Sequence, residues 1–172
     1  MILKLFNIKL SWHMILKKST SKYYRDIVAG DPTKMYIFTD NCDRTSGKGK
    51  IPDDSEYSIR FGKKGLHFPT MTSALLRGLP NAYPITTQKR YVSGAKSYEG
   101  NWNDEDFEEF KKVIDDDFEH IKKACVEKGY TEIVFPSKGV LNGTISRLTF
   151  SRTPKLYNYI IEKEIELKKF EP

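Results

Sequence analysis

Six apolar residues, Phe107, Phe110, Ile114, Phe118, Ile121 and Cys125, recur at steps of 3, 4, 4, 3 and 4. That spacing draws one stripe along a helix of about six turns, and the stripe must be buried against a partner layer. Asn103 is a good N-cap, acidic residues crowd the first turn, Lys122 and Lys123 lie near the end, and Gly129 stops the helix. The helix is thus expected over residues 104–128. A short branched and aromatic run over 131–136, ending Phe135-Pro136, reads as a strand. Thr153 and Pro154 then open a last helix, with Leu156, Tyr157, Ile160, Ile161 and Ile165 as its stripe. Helix, strand and helix in that order imply an α/β fold whose strands are at least partly parallel.

Upstream, residues 34–39 read as a buried strand and 82–87 as a second short one. Between them, turn-formers and charges dominate 39–58, and 70–78 is a short helix candidate closed by Gly78. Residues 89–101, with Gly94 and Gly100, read as an exposed loop. Residues 2–10 alternate loosely and carry lysines, as an edge strand does, and 17–34 read as loop or a short helix. At 172 residues the chain suits one domain. The expectation is a single three-layer α/β domain over 35–172, with a mixed sheet. Residues 1–34 form a peripheral N-terminal appendage or edge strand, and Met14 and Met35 are alternative starts.

Composition narrows the function classes. Two cysteines, Cys42 and Cys125, make neither a disulfide framework nor a zinc site, so a reducing cytoplasm is the expected setting. No apolar run approaches the roughly 18 residues of a membrane span, and no membrane partner is expected. His13, His67 and His120 have no ligand spacing between them, and neither a metal nor a cofactor is expected. The run Asp115-Asp116-Asp117 reads as a solvated helix face. Cys42 has no local histidine to activate it as a nucleophile. Residues 1–100 carry 17 Lys/Arg against 8 Asp/Glu, whereas residues 101–172 carry 12 against 15. A basic first part favours either an anionic partner or simple solvation.

Two junctions carry the candidate chemistry, each an apolar run breaking into a polar, glycine-bearing loop. After Tyr36-Ile37-Phe38 come Thr39, Asp40, Asn41, Cys42, Asp43, Arg44, Thr45, Ser46, Gly47, Lys48 and Gly49. Asn41 could read sugar hydroxyls, Asp40 or Asp43 could orient a water, and Arg44, Thr45, Ser46, Gly47 and Gly49 could hold a phosphate. The same residues also suit an Asx-turn that satisfies its own backbone. After Ile133-Val134-Phe135-Pro136 come Ser137, Lys138, Gly139, Val140, Leu141, Asn142, Gly143 and Thr144. Here glycines let backbone N–H groups approach a diphosphate and Lys138 adds charge, or they merely serve a turn that needs positive φ. The Gly-Lys-Ser/Thr ending of a Walker loop is absent. Open α/β sheets bind ligands at the carboxyl ends of their strands, where both loops would lie.

With these loops in view, the chain resembles a macro domain, the α/β fold that binds ADP-ribose. That family has Ala-Asn before a glycine run, and later Phe-Pro with Ser-Thr-Gly-Val-aromatic-Gly. This chain offers Asp40-Asn41 before Gly47 and Gly49, then Phe135-Pro136 and Ser137-Lys138-Gly139-Val140-Leu141-Asn142-Gly143. Leu141 replaces the aromatic and Asn142 is additional. The stretch 36–159 is also similar to small tailed-phage proteins, which would place it in a host cytoplasm. The macro resemblance implies a nucleotide-type ligand, ADP-ribose or another NAD-derived molecule. Its diphosphate would sit on 137–144 and its distal ribose near Asn41, with hydrolysis of an ADP-ribosyl linkage as the reaction if there is one. The competing expectation is a basic nucleic-acid-binding or phage accessory protein using Lys48, Lys50, Arg60, Lys63, Lys64, Lys89 and Arg90. A third is a protein that sequesters a signalling nucleotide.

Overall fold

Among the described residues, four strands hydrogen-bond in the spatial order β1-β4-β2-β3, and every pairing of these strands is parallel. They are β1 (Ile15–Lys18), β2 (Met35–Asn41), β3 (Ala82–Gln88) and β4 (Glu132–Phe135). The helices are α1 (Arg25–Ala29), α2 (Glu56–Phe61), α3 (Phe107–Lys128) and α4 (Pro154–Lys168). The computed structural model describes residues 14–19, 25–44, 49–67, 76–92, 94–141 and 148–171. The mixed sheet expected from sequence is a parallel one among these residues, because helical crossovers carry β2 to β3 and β3 to β4. The antiparallel contact is an isolated bridge between Lys50 and His67.

All seven residues of β2 are buried, as a strand covered on both faces requires. Period-two alternation divides them. Met35 and Ile37, with Tyr83, Ile85, Ile133 and Phe135, face a core completed by the α3 stripe and by Leu156, Ile160 and Leu167 of α4, whereas Ile165 of the expected α4 stripe is 45% exposed. Tyr36 and Phe38, with Ala82 and Val134, face a second core holding Val28 of α1 and Tyr57 of α2. The molecule therefore has three layers.

The expected α3 stripe is in place, with Phe110, Ile114, Phe118, Ile121 and Cys125 buried. A short 3-10 turn, Asp104–Asp106, precedes the helix, and Asn103 and Asp106 form a reciprocal capping box there. Gly129, at φ 70°, ends it in the left-handed conformation. The 89–101 segment contains a 3-10 helix, Gly94–Gly100. Expected strand 2–10 lies outside the described residues, as does most of expected helix 70–78. Within 1–34, β1 is an edge strand of the sheet and Met14 and Val28 belong to the two cores.

Two elements differ from the sequence reading. The 39–58 stretch was expected to be loop, yet α2 begins within it. Ser55 caps it by accepting from Ser58 N, and Gly62 closes it at φ 59°. The helix has only six residues, too few to print a periodic stripe. Asp117 does not belong to a solvated face: it is 2% exposed. It sits three residues after Ile114 and four before Ile121, on the apolar stripe itself.

Candidate ligand cleft and a buried ion-pair lattice

The carboxyl edge of the sheet carries two separate arrangements. At the ends of β2 and β3 lies a lattice of buried charge. Arg77, fully buried, sends Nε to Asp40 Oδ2 at 3.0 Å and Nη2 to Asp40 Oδ1. Its Nη1 donates to the carbonyls of Arg44 (2.8 Å) and His67 (2.7 Å). Arg44 Nη2 meets Asp117 Oδ1 at 3.1 Å, and Asp117 Oδ2 accepts from the backbone N–H of Thr86 at 2.7 Å. The Arg44 guanidinium also lies 4.3 Å from the ring centre of Phe61. Burial pushes the Asp117 carboxyl above the usual carboxylate range, and Arg44 beside it opposes that rise.

These bonds define what the first loop does here. Asp40 spends both oxygens on Arg77, and its Oδ1 also accepts from Asn41 N at 2.8 Å. Asn41 Oδ1 accepts from Arg44 N at 2.8 Å, three residues on, closing a turn in which Arg44 takes the left-handed conformation at φ 52°. Arg44 is 3% exposed and turned inward, so it presents no guanidinium to solvent. Asp43 is half-buried, its Oδ2 accepting from Tyr91 N at 3.4 Å. Gly49 is in the left-handed region at φ 80°; Thr45, Ser46 and Gly47 lie outside the described residues. Cys42 is half-buried, and burial pushes its thiol up to about 12, which keeps it protonated near neutrality.

The second arrangement is a cleft of about 280 Å³ at the ends of β1 and β4. The second loop forms one wall, from Lys138 through Gly139 and Val140 to Leu141. Ser137, just before that wall, is exposed; Asn142, Gly143 and Thr144 lie outside the described residues. Leu16, Lys17 and Lys18 of β1 and Phe135 of β4 form the floor. α4 supplies the opposite wall through Tyr157, Ile161, Glu164 and Lys168, at steps of four, three and four on one helix face. Gly139 sits at φ 73°, its N–H donating to Pro136 O at 2.7 Å. A Cβ placed on it would stand 3.8 Å from Lys18 Nζ, so the ammonium lies over the glycine backbone.

The cleft is cationic. Lys17 is tied to Glu132 at 2.7 Å, but the ammonium groups of Lys18, Lys138 and Lys168 form no hydrogen bond or salt bridge with another described residue. Glu164 is the one carboxylate among the described residues of the lining; burial pushes it up, and Lys168 and Lys18 oppose that rise. None of Asp40, Asn41, Asp43 and Arg44 lines this cleft. The two loops were expected to share one ligand, but they build different things. Sequence reasoning missed Lys18, Glu164 and Lys168 because β1 is four residues long and the α4 pair reads as surface charge.

A family model described as a family of unknown function (DUF7831) matches residues 18–163. The chain belongs to that family. The DUF7831 match begins at Lys18 and so includes the last residue of β1, the lattice, and the 138–141 wall. No curated protein and no solved structure matches.

Of the surface lysines and arginines considered for nucleic acid, several are engaged. Arg60 donates to the carbonyls of Ala82 and Pro80 and to Glu56, all at 3.1 Å. Lys63 donates to Cys42 O, and Lys89 pairs with Asp106 (2.7 Å) and Glu109 (2.8 Å). Lys48 lies outside the described residues. Among the described residues, no group of three or more His, Cys, Asp or Glu could hold a metal ion, and no helix is long and apolar enough to cross a membrane.

Proposed function

We propose that this chain binds a phosphorylated, nucleotide-type small molecule, ADP-ribose or a related NAD-derived compound, with its phosphate in the cleft between the 138–141 wall and α4. The observation that carries the reading is the set of three uncommitted ammonium groups around a glycine-bearing strand-to-loop turn. Ammonium groups and backbone amides at the carboxyl end of parallel strands attract phosphate. The cleft volume of about 280 Å³ lies at the small end of ligand sites, which span roughly 300–1,000 Å³. It suits a phosphorylated ribose, with the remainder of a larger ligand extending outward.

Binding rather than turnover is the favoured activity. Of the two carboxylates expected to orient a hydrolytic water, Asp40 is saturated by Arg77, and Asp43, which accepts from Tyr91 N, does not line the cleft. The test is calorimetry of the full chain with ADP-ribose, NAD and AMP, repeated on Lys138→Ala/Lys168→Ala. The expected result is binding of at least one of these ligands, weakened about tenfold or more in the variant. No heat with any of them, or equal affinity in the variant, would overturn the reading.

A further inference from the structure

The cleft is not uniformly positive. Glu164 reaches into it from α4, one turn before Lys168 and in electrostatic contact with Lys18. A site built only to attract anions gains nothing from a half-buried carboxylate, which repels phosphate and costs desolvation. Elsewhere on the molecule, carboxylates near lysines close salt bridges, as Asp115 does with Lys163 at 2.8 Å and Glu132 with Lys17 at 2.7 Å. Glu164 closes none with a described residue, although Lys18 and Lys168 are near it. Its oxygens remain available as acceptors within a cationic cleft. The chemistry that uses both signs at once is a phosphate ester carrying hydroxyl groups, with the phosphoryl group on the ammoniums and a hydroxyl donating to the carboxylate.

We propose that Glu164 is a specificity-determining residue that accepts a hydrogen bond from a ribose hydroxyl, so that the cleft selects sugar phosphates over inorganic polyphosphates and bare phosphate chains. This rests on the ligand reading above and deepens it. Truncating the carboxylate removes the acceptor for the sugar and, at the same time, the repulsion felt by an anion without a sugar. The two effects have opposite signs, which separates selection from a general change in cleft charge.

The experiment titrates ADP-ribose and inorganic pyrophosphate into the wild-type chain and into Glu164→Gln and Glu164→Ala, with thermal unfolding of each as a folding control. ADP-ribose is expected to weaken about tenfold in Glu164→Ala, the cost of losing one charge-assisted hydrogen bond. Pyrophosphate is expected to tighten about threefold or more in both variants. If both ligands tighten alike, Glu164 only repels anions and the inference fails, while the ligand reading stands. If neither variant changes either affinity, the inference fails in the same way. If the wild-type chain binds neither ligand, the inference fails, and the reading fails with it when NAD and AMP also give no heat.

Discussion

Arg77 is the residue on which the β2 end depends most. It neutralises Asp40 and also ties down the carbonyls of Arg44 and His67, so four oxygen atoms of three groups lose a partner when it is removed. Breaking a buried pair by removing one member costs about 3–5 kcal/mol, because the other charge stays buried. Arg77→Met is therefore expected to lower unfolding free energy by that amount in denaturant titration, and adding Asp40→Asn is expected to restore part of it. A loss under 1 kcal/mol in the single variant would mean that the lattice is not as closed as described. Asp31 offers a pH handle. Its carboxyl accepts from Lys34 (2.8 Å) and Thr33 (2.7 Å), and these bonds hold it down at about 2. A carboxylate depressed in the folded state stabilises fully above its ordinary value and loses that contribution as pH falls toward about 2. Asp31→Asn should thus flatten the part of the stability profile between about pH 4 and pH 2, read from urea unfolding at each pH.

At the scale of elements, legibility followed length and periodicity. α3, at 22 residues, printed its stripe, the Asn103 cap ahead of it and its terminal glycine, and all three are present. β2 and β3 were recognisable as short apolar runs, as was β4. α2 was hidden in a charged stretch, and its contribution is tertiary. Arg60 crosses to the carbonyls of Pro80 and Ala82 and stacks 4.0 Å from the ring centre of Tyr83, docking α2 beside the outermost strand, β3. No local pattern announces such a contact. Arg60→Ala should leave the sheet intact while speeding amide exchange across residues 56–61 about tenfold, since the lost hydrogen bonds amount to about 1.4 kcal/mol or more. Exchange unchanged in α2 would show that its own caps hold it. Asp117 was misread for a related reason: three consecutive aspartates look solvated until Arg44, 73 residues away in sequence, comes to meet one of them.

At the scale of the whole molecule, parallel strands deliver both loops to one edge of the sheet, as the helix-strand order implied. Sequence could not show that they divide the labour. The described start of the loop with the denser chemistry folds inward, its Asp40, Asn41 and Arg44 engaged by Arg77, Asp117 and the backbone, and residues 138–141 of the plainer loop line the cleft. That division arises from partners distant in sequence, Arg77 for Asp40 and α4 for Lys138. Salt dependence tells the proposed small-ligand site from a nucleic-acid surface. Duplex binding would weaken steeply with salt in proportion to the phosphates contacted, whereas a single phosphorylated ligand in a half-enclosed cleft would respond far less. The most direct measurement is amide chemical-shift mapping of the full chain during titration with ADP-ribose. The account predicts saturable shifts concentrated on Lys18, on residues 138–141 and on the α4 face from Tyr157 to Lys168. Shifts centred instead on residues 40–44, or no saturable shifts at all, would contradict it.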